Sequence, residues 1–191
     1  MTIANALTAT RILLAGPFAY LMTRPEAWSA VLAGLVLVAA IATDLLDGPL
    51  ARRRGTATAA SGVFDHAADC LFVTIGLAAT AARGAGPWIL PPLVALAFAQ
   101  YVADSYWGHP GRALRTSALG RWNGIVYFVP LAGDVLVRLG WGALAPVVSG
   151  LAWALVASTV LSMGERLWAL TRARRTARGS RGAGTGDRRW R

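Results

Sequence analysis

Lysine is absent from the sequence, and charged residues of any kind are scarce. All nineteen basic residues of the 191-residue chain are arginine, only nine residues are acidic, and charged residues make up 15% of the total. The hydrophobic fraction is 55%, and the mean hydropathy is +0.49. A water-soluble domain of this length would need a more polar surface. The composition therefore indicates one compact domain of an integral membrane protein.

Cysteine and histidine are also rare. Cys70 is the single cysteine, which excludes an internal disulfide, and its apolar neighbours favour a packing role. The two histidines, His66 and His109, are too far apart in sequence to form a zinc motif. The N-terminus has no basic start, and Arg11 interrupts the first apolar run, so we expect no cleaved signal peptide.

Long apolar runs, by contrast, are abundant. A helix needs about 20 apolar residues to cross a bilayer, and no strand-like alternation is sustained anywhere in the chain. The sequence therefore predicts an all-α bundle of six transmembrane helices. The predicted helices are approximately Leu7–Thr23, Ala27–Thr43, Ala67–Ala82, Pro87–Ser105, Trp122–Leu139 and Leu144–Leu167.

The distribution of arginine predicts the orientation in the membrane. Arginine is concentrated after the second and fourth predicted helices and in the tail, whereas the opposite loops carry only Arg24, Arg83 and Arg138. Because arginine-rich loops stay in the cytoplasm, we expect both termini on the cytoplasmic side of a bacterial inner (plasma) membrane. Residues 1–170 are predicted to form the membrane domain. Residues 171–191 are expected to form a disordered Gly/Arg-rich tail that is attracted to anionic lipid rather than to nucleic acid.

Four aspartates lie between the end of the second predicted helix and the first turn of the third. Asp44 and Asp47 are three residues apart, and Asp65 and Asp69 are four apart, so each pair shares one face of a helix. An antiparallel helix pair would bring all four carboxylates together at the cytoplasmic ends of helices two and three. Such a cluster is unfavourable near a membrane unless it is compensated. Either salt bridges to the run Arg52–Arg54 or bound divalent cations would compensate it.

The residues around the aspartates favour cations over a solvated loop of Asp–Arg pairs. Carboxylate oxygens suit Mg²⁺, Mn²⁺ or Ca²⁺, and four of them can hold two ions, as in phosphoryl displacement. Gly48, Ala51 and Gly62 are small enough to let a bulky ligand approach the backbone. Nearby arginines would help to neutralise a phosphate-bearing substrate.

The aspartate pattern resembles the signature of the CDP-alcohol phosphatidyltransferases. The matching residues are Asp44-x₂-Asp47-Gly48-x₂-Ala51-Arg52, followed by Asp65-x₃-Asp69. Ser61 stands where the family usually has glycine, with Gly62 one residue later. Two shorter segments also resemble family patterns, namely Asn5-x₂-Thr8-x₂-Arg11 and Ser117-x₂-Gly120-Arg121.

The resemblance implies a reaction and roles for individual residues. An alcohol hydroxyl would attack the lipid-linked phosphorus of CDP-diacylglycerol, release CMP and form a phosphodiester. The enzyme would use Mg²⁺ or Mn²⁺, as two ions, and would be a homodimer. The implied metal ligands are Asp44, Asp47, Asp65 and Asp69, and Asp69 is alternatively the general base. The residues implied to contact CDP are Asn5, Thr8, Gly48, Ala51 and Arg52.

The acceptor is expected to bear its own phosphate, because Arg112, Arg115 and Arg121 would surround the cytoplasmic entrance. Ordinary positive-inside topology explains the same arginines equally well. Arg121 is the preferred ligand because it belongs to the Ser117-x₂-Gly120-Arg121 segment. Glycerol 3-phosphate is our first expectation, as in a phosphatidylglycerophosphate synthase. A phosphatidylinositol phosphate synthase or an enzyme with another acceptor is the alternative.

Two non-enzymatic hypotheses compete with the transferase. A divalent-cation transporter is disfavoured because the acidic residues cluster at one face of the membrane. An inactive scaffold is disfavoured because all four aspartates are present.

Three further polar residues carry expectations about structure. Asp134 and Arg138 are four residues apart in the fifth predicted helix and are expected to form a structural ion pair. His66 follows Asp65 directly and is expected to point about 100° away from it on a helix, as a peripheral contact of the site.

Overall fold

The computed structural model describes the backbone of residues 3–53, 59–107 and 118–183, and the side chains of residues 6–46, 62–103, 120, 122–169 and 171–172. The described part consists of helices and the short turns between them, which confirms the all-α prediction there. Its elements are α1 (Ile3–Thr23), α2 (Ala27–Arg53), α3 (Ala59–Ala82), α4 (Leu90–Trp107), α5 (Ala118–Val126), α6 (Phe128–Arg138), a 3₁₀ turn (Gly142–Leu144) and α7 (Ala145–Ala183).

Several helices have the length and composition of membrane spans. Four described helices, α1, α2, α3 and α7, are long and apolar enough to cross a bilayer, and α4 contains a shorter apolar segment, Leu90–Ala103. Large apolar side chains are exposed on the outside of the bundle, for example Leu13 and Trp153. Such a surface suits lipid rather than water, so the chain is a multi-pass membrane protein.

The fifth predicted helix is broken into α5 and α6, a difference from the single helix expected for Trp122–Leu139. The break lies at Tyr127, three residues before Pro130. Proline has no backbone N–H, and its ring clashes with the carbonyl four residues earlier, here that of Val126. The Tyr127 amide still donates to the Asn123 carbonyl at 2.9 Å, so the helical hydrogen-bond pattern of α5 reaches the residue at the break.

The centre of the bundle is the contact between α1 and α3. Phe18 and Phe72 are fully buried and stack with ring centroids 4.7 Å apart. Gly76 permits this approach, because a Cβ there would lie 2.6 Å from a Phe18 ring carbon. The same alignment of α1 with α3 brings Arg11 level with Asp65. Arg11 lies two turns before Phe18 on α1, and Asp65 lies two turns before Phe72 on α3. We call that end of the bundle, where Asp44, Asp65 and Asp69 lie, the aspartate end.

The opposite end of the bundle contains a separate polar cluster. Arg83 Nη2 lies 2.5 Å from Asp134 Oδ2, and Arg83 Nε donates to the Met22 carbonyl. Arg138 donates to the carbonyls of Leu21 and Arg24. The expected partnership of Asp134 with Arg138 is thus replaced by Asp134 with Arg83. The last carbonyls of α1 have no hydrogen-bond partner within the helix. The guanidinium groups of Arg83 and Arg138 therefore donate hydrogen bonds to them.

The last helix is longer than the sequence predicted. α7 continues to Ala183, so the backbone of residues 171–183 is helical where we expected the start of a disordered tail. Arginine and alanine are strong helix formers, and extending an existing helix avoids the cost of nucleation. Residues 184–191 lie outside the described part.

Candidate active site

Arg11 of α1 lies at the centre of the aspartate end and contacts carboxylates from two other helices. Its Nη2 lies 3.3 Å from Asp44 Oδ1 of α2. Its Nη1 lies 3.0 Å from Asp65 Oδ1 and 2.5 Å from Asp69 Oδ1, both on α3. The Arg11 side chain is fully buried, whereas those of Asp44, Asp65 and Asp69 are 40%, 29% and 23% exposed. One buried cation therefore holds three carboxylates that still face accessible space.

The local sequence explains why these groups meet. Asp65 and Asp69 are one turn apart on α3, so both face α1. The stack of Phe18 on Phe72 fixes the α1–α3 register two turns from Arg11. The short connection between α1 and α2 makes these helices antiparallel neighbours, which brings Asp44 near the end of α2 back to the same level. The predicted convergence of Asp44 with Asp65 and Asp69 is thus observed in the described structure.

The charges in this cluster do not balance. Among the described side chains, three carboxylates contact one guanidinium, that of Arg11, so acidic groups outnumber basic groups in this cluster. Partly buried carboxylates are stabilised by ion pairs, by protonation or by a bound metal. A divalent cation at this cluster would add positive charge to it.

The donor atoms present also fit a metal ion. Asp65, His66 and Asp69 each offer one ligand atom, and these atoms lie within 4.8 Å of one another. Carboxylate oxygens are hard ligands that suit Mg²⁺ or Mn²⁺. We expected the His66 side chain to point about 100° away from Asp65, but one of its ring nitrogens lies within 4.8 Å of carboxylate oxygens of Asp65 and Asp69. Its ring also makes an edge contact with Tyr101, with centroids 6.0 Å apart.

A cavity of about 480 Å³ opens beside the aspartates. Asp44, Asp65, His66 and Asp69 form part of its wall, and further side chains of α3, α4, α5 and α7 also line it. Most of the lining is apolar, including Val73, Val94 and Phe98. A largely apolar cavity of this size with a few convergent polar groups is typical of a small-molecule site.

Polar side chains from α5 and α7 line the same cavity. The Tyr127 and Thr159 hydroxyls lie 2.6 Å apart, and the Asn123 amide oxygen accepts a hydrogen bond from Ser158 Oγ at 2.8 Å. Arg166 also lines the cavity, and its guanidinium lies 5.6 Å from the centre of the Tyr101 ring.

Sequence reasoning assigned no chemical role to Arg11, to Arg166 or to this polar group on α5 and α7. One signal was visible in the sequence. Ser158, Thr159 and Ser162 recur at helical spacing within an otherwise apolar helix.

The other predicted site residues vary in how far the structure describes them. Thr8 is 3% exposed and lies one turn before Arg11 on α1. The backbone of six more is helical, but their side chains lie outside the described part: Asn5, Asp47, Gly48, Ala51, Arg52 and Arg121. The same is true of Ser61, whereas Arg112, Arg115 and Ser117 lie outside the described residues altogether.

Comparison with known proteins shows which family the chain belongs to. The family model for CDP-alcohol phosphatidyltransferases matches residues 1–163. The chain belongs to this family. This CDP-alcohol phosphatidyltransferase domain contains Arg11, all four aspartates and Arg121. The resemblance inferred from the sequence is thereby confirmed.

A curated relative gives a more specific comparison. The chain is 33% identical over 122 residues to a protein from Pseudomonas fluorescens described as CDP-diacylglycerol–glycerol-3-phosphate 3-phosphatidyltransferase. The match covers 64% of this chain and 56% of the relative, so it spans little more than half of that protein's length. No solved structure matches the chain.

Proposed function

We propose that the protein transfers a phosphatidyl group from CDP-diacylglycerol to the hydroxyl of a small, phosphate-bearing alcohol, with release of CMP. The observation that carries this proposal is the contact of Arg11 with Asp44, Asp65 and Asp69, because these three aspartates line a cavity of about 480 Å³. Family membership supports the reaction type. The relative's description supports glycerol 3-phosphate as the acceptor.

The proposed reaction exchanges one phosphorus–oxygen bond for another. The acceptor's hydroxyl oxygen bonds to the phosphorus that carries diacylglycerol, and the bond from that phosphorus to the bridging oxygen breaks. The bridging oxygen leaves as part of CMP. Asp69 accepts the hydroxyl proton. Arg11 Nη1 contacts Oδ1 of Asp69, so we assign Oδ2 as the base.

The aspartates have a second role in this proposal, as ligands of two Mg²⁺ or Mn²⁺ ions. The ligand set is Asp44, Asp47, Asp65 and Asp69. Bound cations there would neutralise the diphosphate and the charge that develops on CMP. Arg11 holds the carboxylates of Asp44, Asp65 and Asp69 at one level of the bundle, which limits the reorganisation needed for binding.

The remaining residues divide between the two substrates. Asn5, Thr8, Gly48, Ala51 and Arg52 are assigned to the cytidine nucleotide. Arg121 is assigned to the acceptor's phosphate, and Arg166, which lines the cavity, is a second cation available to it.

The proposed orientation follows from the arginine distribution, and the proposed assembly follows from analogy with the family. Both termini and the aspartate end would face the bacterial cytoplasm, where a soluble acceptor meets a lipid whose acyl chains stay in the bilayer. All six predicted transmembrane helices would span the membrane, with α5 and α6 together forming the fifth. The enzyme would be a homodimer.

An acceptor panel tests the proposal. Purified full-length protein in lipid nanodiscs is mixed with CDP-diacylglycerol, Mg²⁺ and one of three acceptors: glycerol 3-phosphate, inositol 1-phosphate or serine. We expect CMP release with glycerol 3-phosphate, together with a new lipid of the mass of phosphatidylglycerophosphate. Turnover only with inositol 1-phosphate would favour the alternative acceptor. No CMP release with any acceptor would reject the transferase proposal.

A further inference from the structure

A histidine lies beside the carboxylates of the aspartate end. One ring nitrogen of His66 and one carboxylate oxygen each of Asp65 and Asp69 lie within 4.8 Å of one another. All three side chains line the cavity. The place where the proposed function puts a cation therefore offers a nitrogen ligand as well as oxygen ligands.

The spacing of these residues on α3 explains the arrangement. Asp65 and Asp69 are four residues apart, and His66 and Asp69 are three apart, so both spacings make neighbours on the helix surface. With 3.6 residues per turn, Asp69 points in a direction between those of Asp65 and His66. One turn of a single helix thus presents all three ligand atoms to the same part of the cavity.

The distances among these atoms are close to those of a metal site. Two ligand atoms on opposite sides of one small divalent ion lie about 4.2 Å apart. A spread of up to 4.8 Å needs only a small movement of the side chains to reach that value. The ring of His66 makes an edge contact with that of Tyr101 on α4, which also lines the cavity. This contact places the imidazole beside the carboxylates.

A nitrogen ligand changes which cation the site prefers. Mg²⁺ is bound mainly through carboxylate, phosphate and water oxygens, whereas imidazole is a ligand of transition-metal ions. Di-iron and di-manganese proteins built from helices combine carboxylates with a histidine three residues from one of them. His66 and Asp69 have this spacing, and Asp65 adds a second carboxylate.

We propose that His66 is a ligand of the ion held by Asp65 and Asp69, and that it makes this site prefer Mn²⁺ to Mg²⁺. His66 is then a residue that determines metal specificity. This inference rests on the proposed function, in which the α3 aspartates hold a cation. It adds a ligand to the four aspartates and chooses between the two metals named there.

The test measures metal binding without any substrate. Full-length protein in phosphatidylcholine nanodiscs is titrated with Mn²⁺, and electron paramagnetic resonance measures the free ion, with empty nanodiscs as the blank. Added Mg²⁺ then competes for the site. We expect the wild type to bind Mn²⁺ at least about tenfold more tightly than Mg²⁺. Pulsed spectra of the bound Mn²⁺ should show coupling to a directly bound imidazole nitrogen.

Two variants remove the imidazole in different ways. His66→Phe keeps an aromatic ring against Tyr101, and His66→Gln offers an amide oxygen in place of nitrogen. In each folded variant, we expect the nitrogen coupling to disappear and the Mn²⁺ affinity to fall by about tenfold or more. The Mg²⁺ affinity should change less than about threefold. Phe64→Gln is the matched control, because it introduces the same side chain at an exposed position of α3 two residues earlier. It should retain the coupling and the wild-type preference for Mn²⁺.

The outcomes separate this inference from the function on which it rests. Absence of nitrogen coupling in the wild type, or its persistence in His66→Phe, would overturn the inference. Equal falls in Mn²⁺ and Mg²⁺ affinity would overturn it as well, since His66 would then only support the fold of the site. Loss of Mn²⁺ binding through His66 with CMP release intact in the wild type would leave the transferase proposal standing. Conversely, binding through His66 without CMP release for any acceptor would reject the transferase and keep the metal site. Size-exclusion profiles identify which variants fold, and either folded variant suffices.

Discussion

Arg11 is a fully buried cation on an otherwise apolar helix, and its contacts explain how three aspartates can sit together at the edge of a membrane. Its two terminal nitrogens reach Asp44, Asp65 and Asp69. Removing one partner from a buried ionic group costs about 3–5 kcal/mol, because the other charges are left uncompensated. Arg11 therefore stabilises the fold at the point where the chemistry is proposed to occur.

The first prediction concerns Arg11→Met. Without divalent cations, we expect the variant to unfold at a clearly lower temperature than the wild type, with a loss of about 3–5 kcal/mol. Added Mg²⁺ or Mn²⁺ should restore part of the stability, since the cation takes over the compensation of the carboxylates. The measurement is thermal unfolding in detergent with EDTA and with each metal. Arg24→Met, at an exposed arginine just after α1, is the control. Equal stability of Arg11→Met and wild type in EDTA would contradict the argument.

The second prediction concerns Asp69. Asp69→Asn keeps the size of the side chain but removes its basicity, so CMP release should fall by about 10²-fold or more. Glu26→Gln makes the same chemical change at an exposed site on the opposite end of the bundle and should retain activity. Undiminished CMP release by Asp69→Asn would remove Asp69 from the mechanism.

At the scale of the helices, the site depends on how closely α1 approaches α3. Gly76 lies against Phe18 and Leu131, where an added Cβ would lie 2.6 Å from Phe18 and 3.2 Å from Leu131. The same helix contact sets the relative height of Arg11 and the α3 aspartates. A change in the packing of α1 on α3 would therefore also change the contacts of Arg11 with the α3 aspartates.

The third prediction is a comparison of two glycines. Gly76→Ala forces Phe18 or α1 to shift, and overpacking of this kind costs about 1–3 kcal/mol. We expect lower thermal stability and reduced CMP release, because Arg11 moves relative to Asp65. Gly16→Ala, on the same helix as Arg11, meets no atom within 4 Å and should behave like the wild type. Matching losses in the two variants would show that steric contact at Gly76 is not the cause.

The sequence predicted the helices and the aspartate convergence because both depend on local spacing. Asp65 and Asp69 share a helix face whatever surrounds them, and apolar runs of this length favour membrane spans. It did not predict the contacts of Arg11 or Asn123, because their partners come from other helices, 54 residues away for Asp65 and 35 for Ser158. The break at Tyr127 was missed although Pro130 was visible, since proline is often accommodated within membrane helices.

At the scale of the whole molecule, the two ends of the bundle are built differently. Among its described side chains, the aspartate end has three carboxylates around one guanidinium, beside a cavity. The opposite end pairs Asp134 with Arg83 and uses Arg138 to satisfy carbonyls at the end of α1. Within the described part, the charged side chains at that end connect α1, the end of α3 and α6. These contacts hold the helices together.

The fourth prediction tests this link with a double-variant cycle. Asp134→Leu and Arg83→Leu each leave a partly buried charge unpaired, and each should cost about 3–5 kcal/mol of stability. The double variant should lose clearly less than the two single losses together, since an apolar pair replaces the ionic pair. Thermal unfolding measures all four proteins. Additive losses would show that Asp134 and Arg83 act independently.

Arg11 also bears on how such a protein is made. A nascent chain whose acidic residues had no counter-charge would need metal at the moment its helices assemble in the bilayer. Here the counter-charge is encoded in the polypeptide and arrives with the first helix. Under the proposed function, ion loading would therefore follow assembly of the helices, because Arg11 pairs with three of the carboxylates.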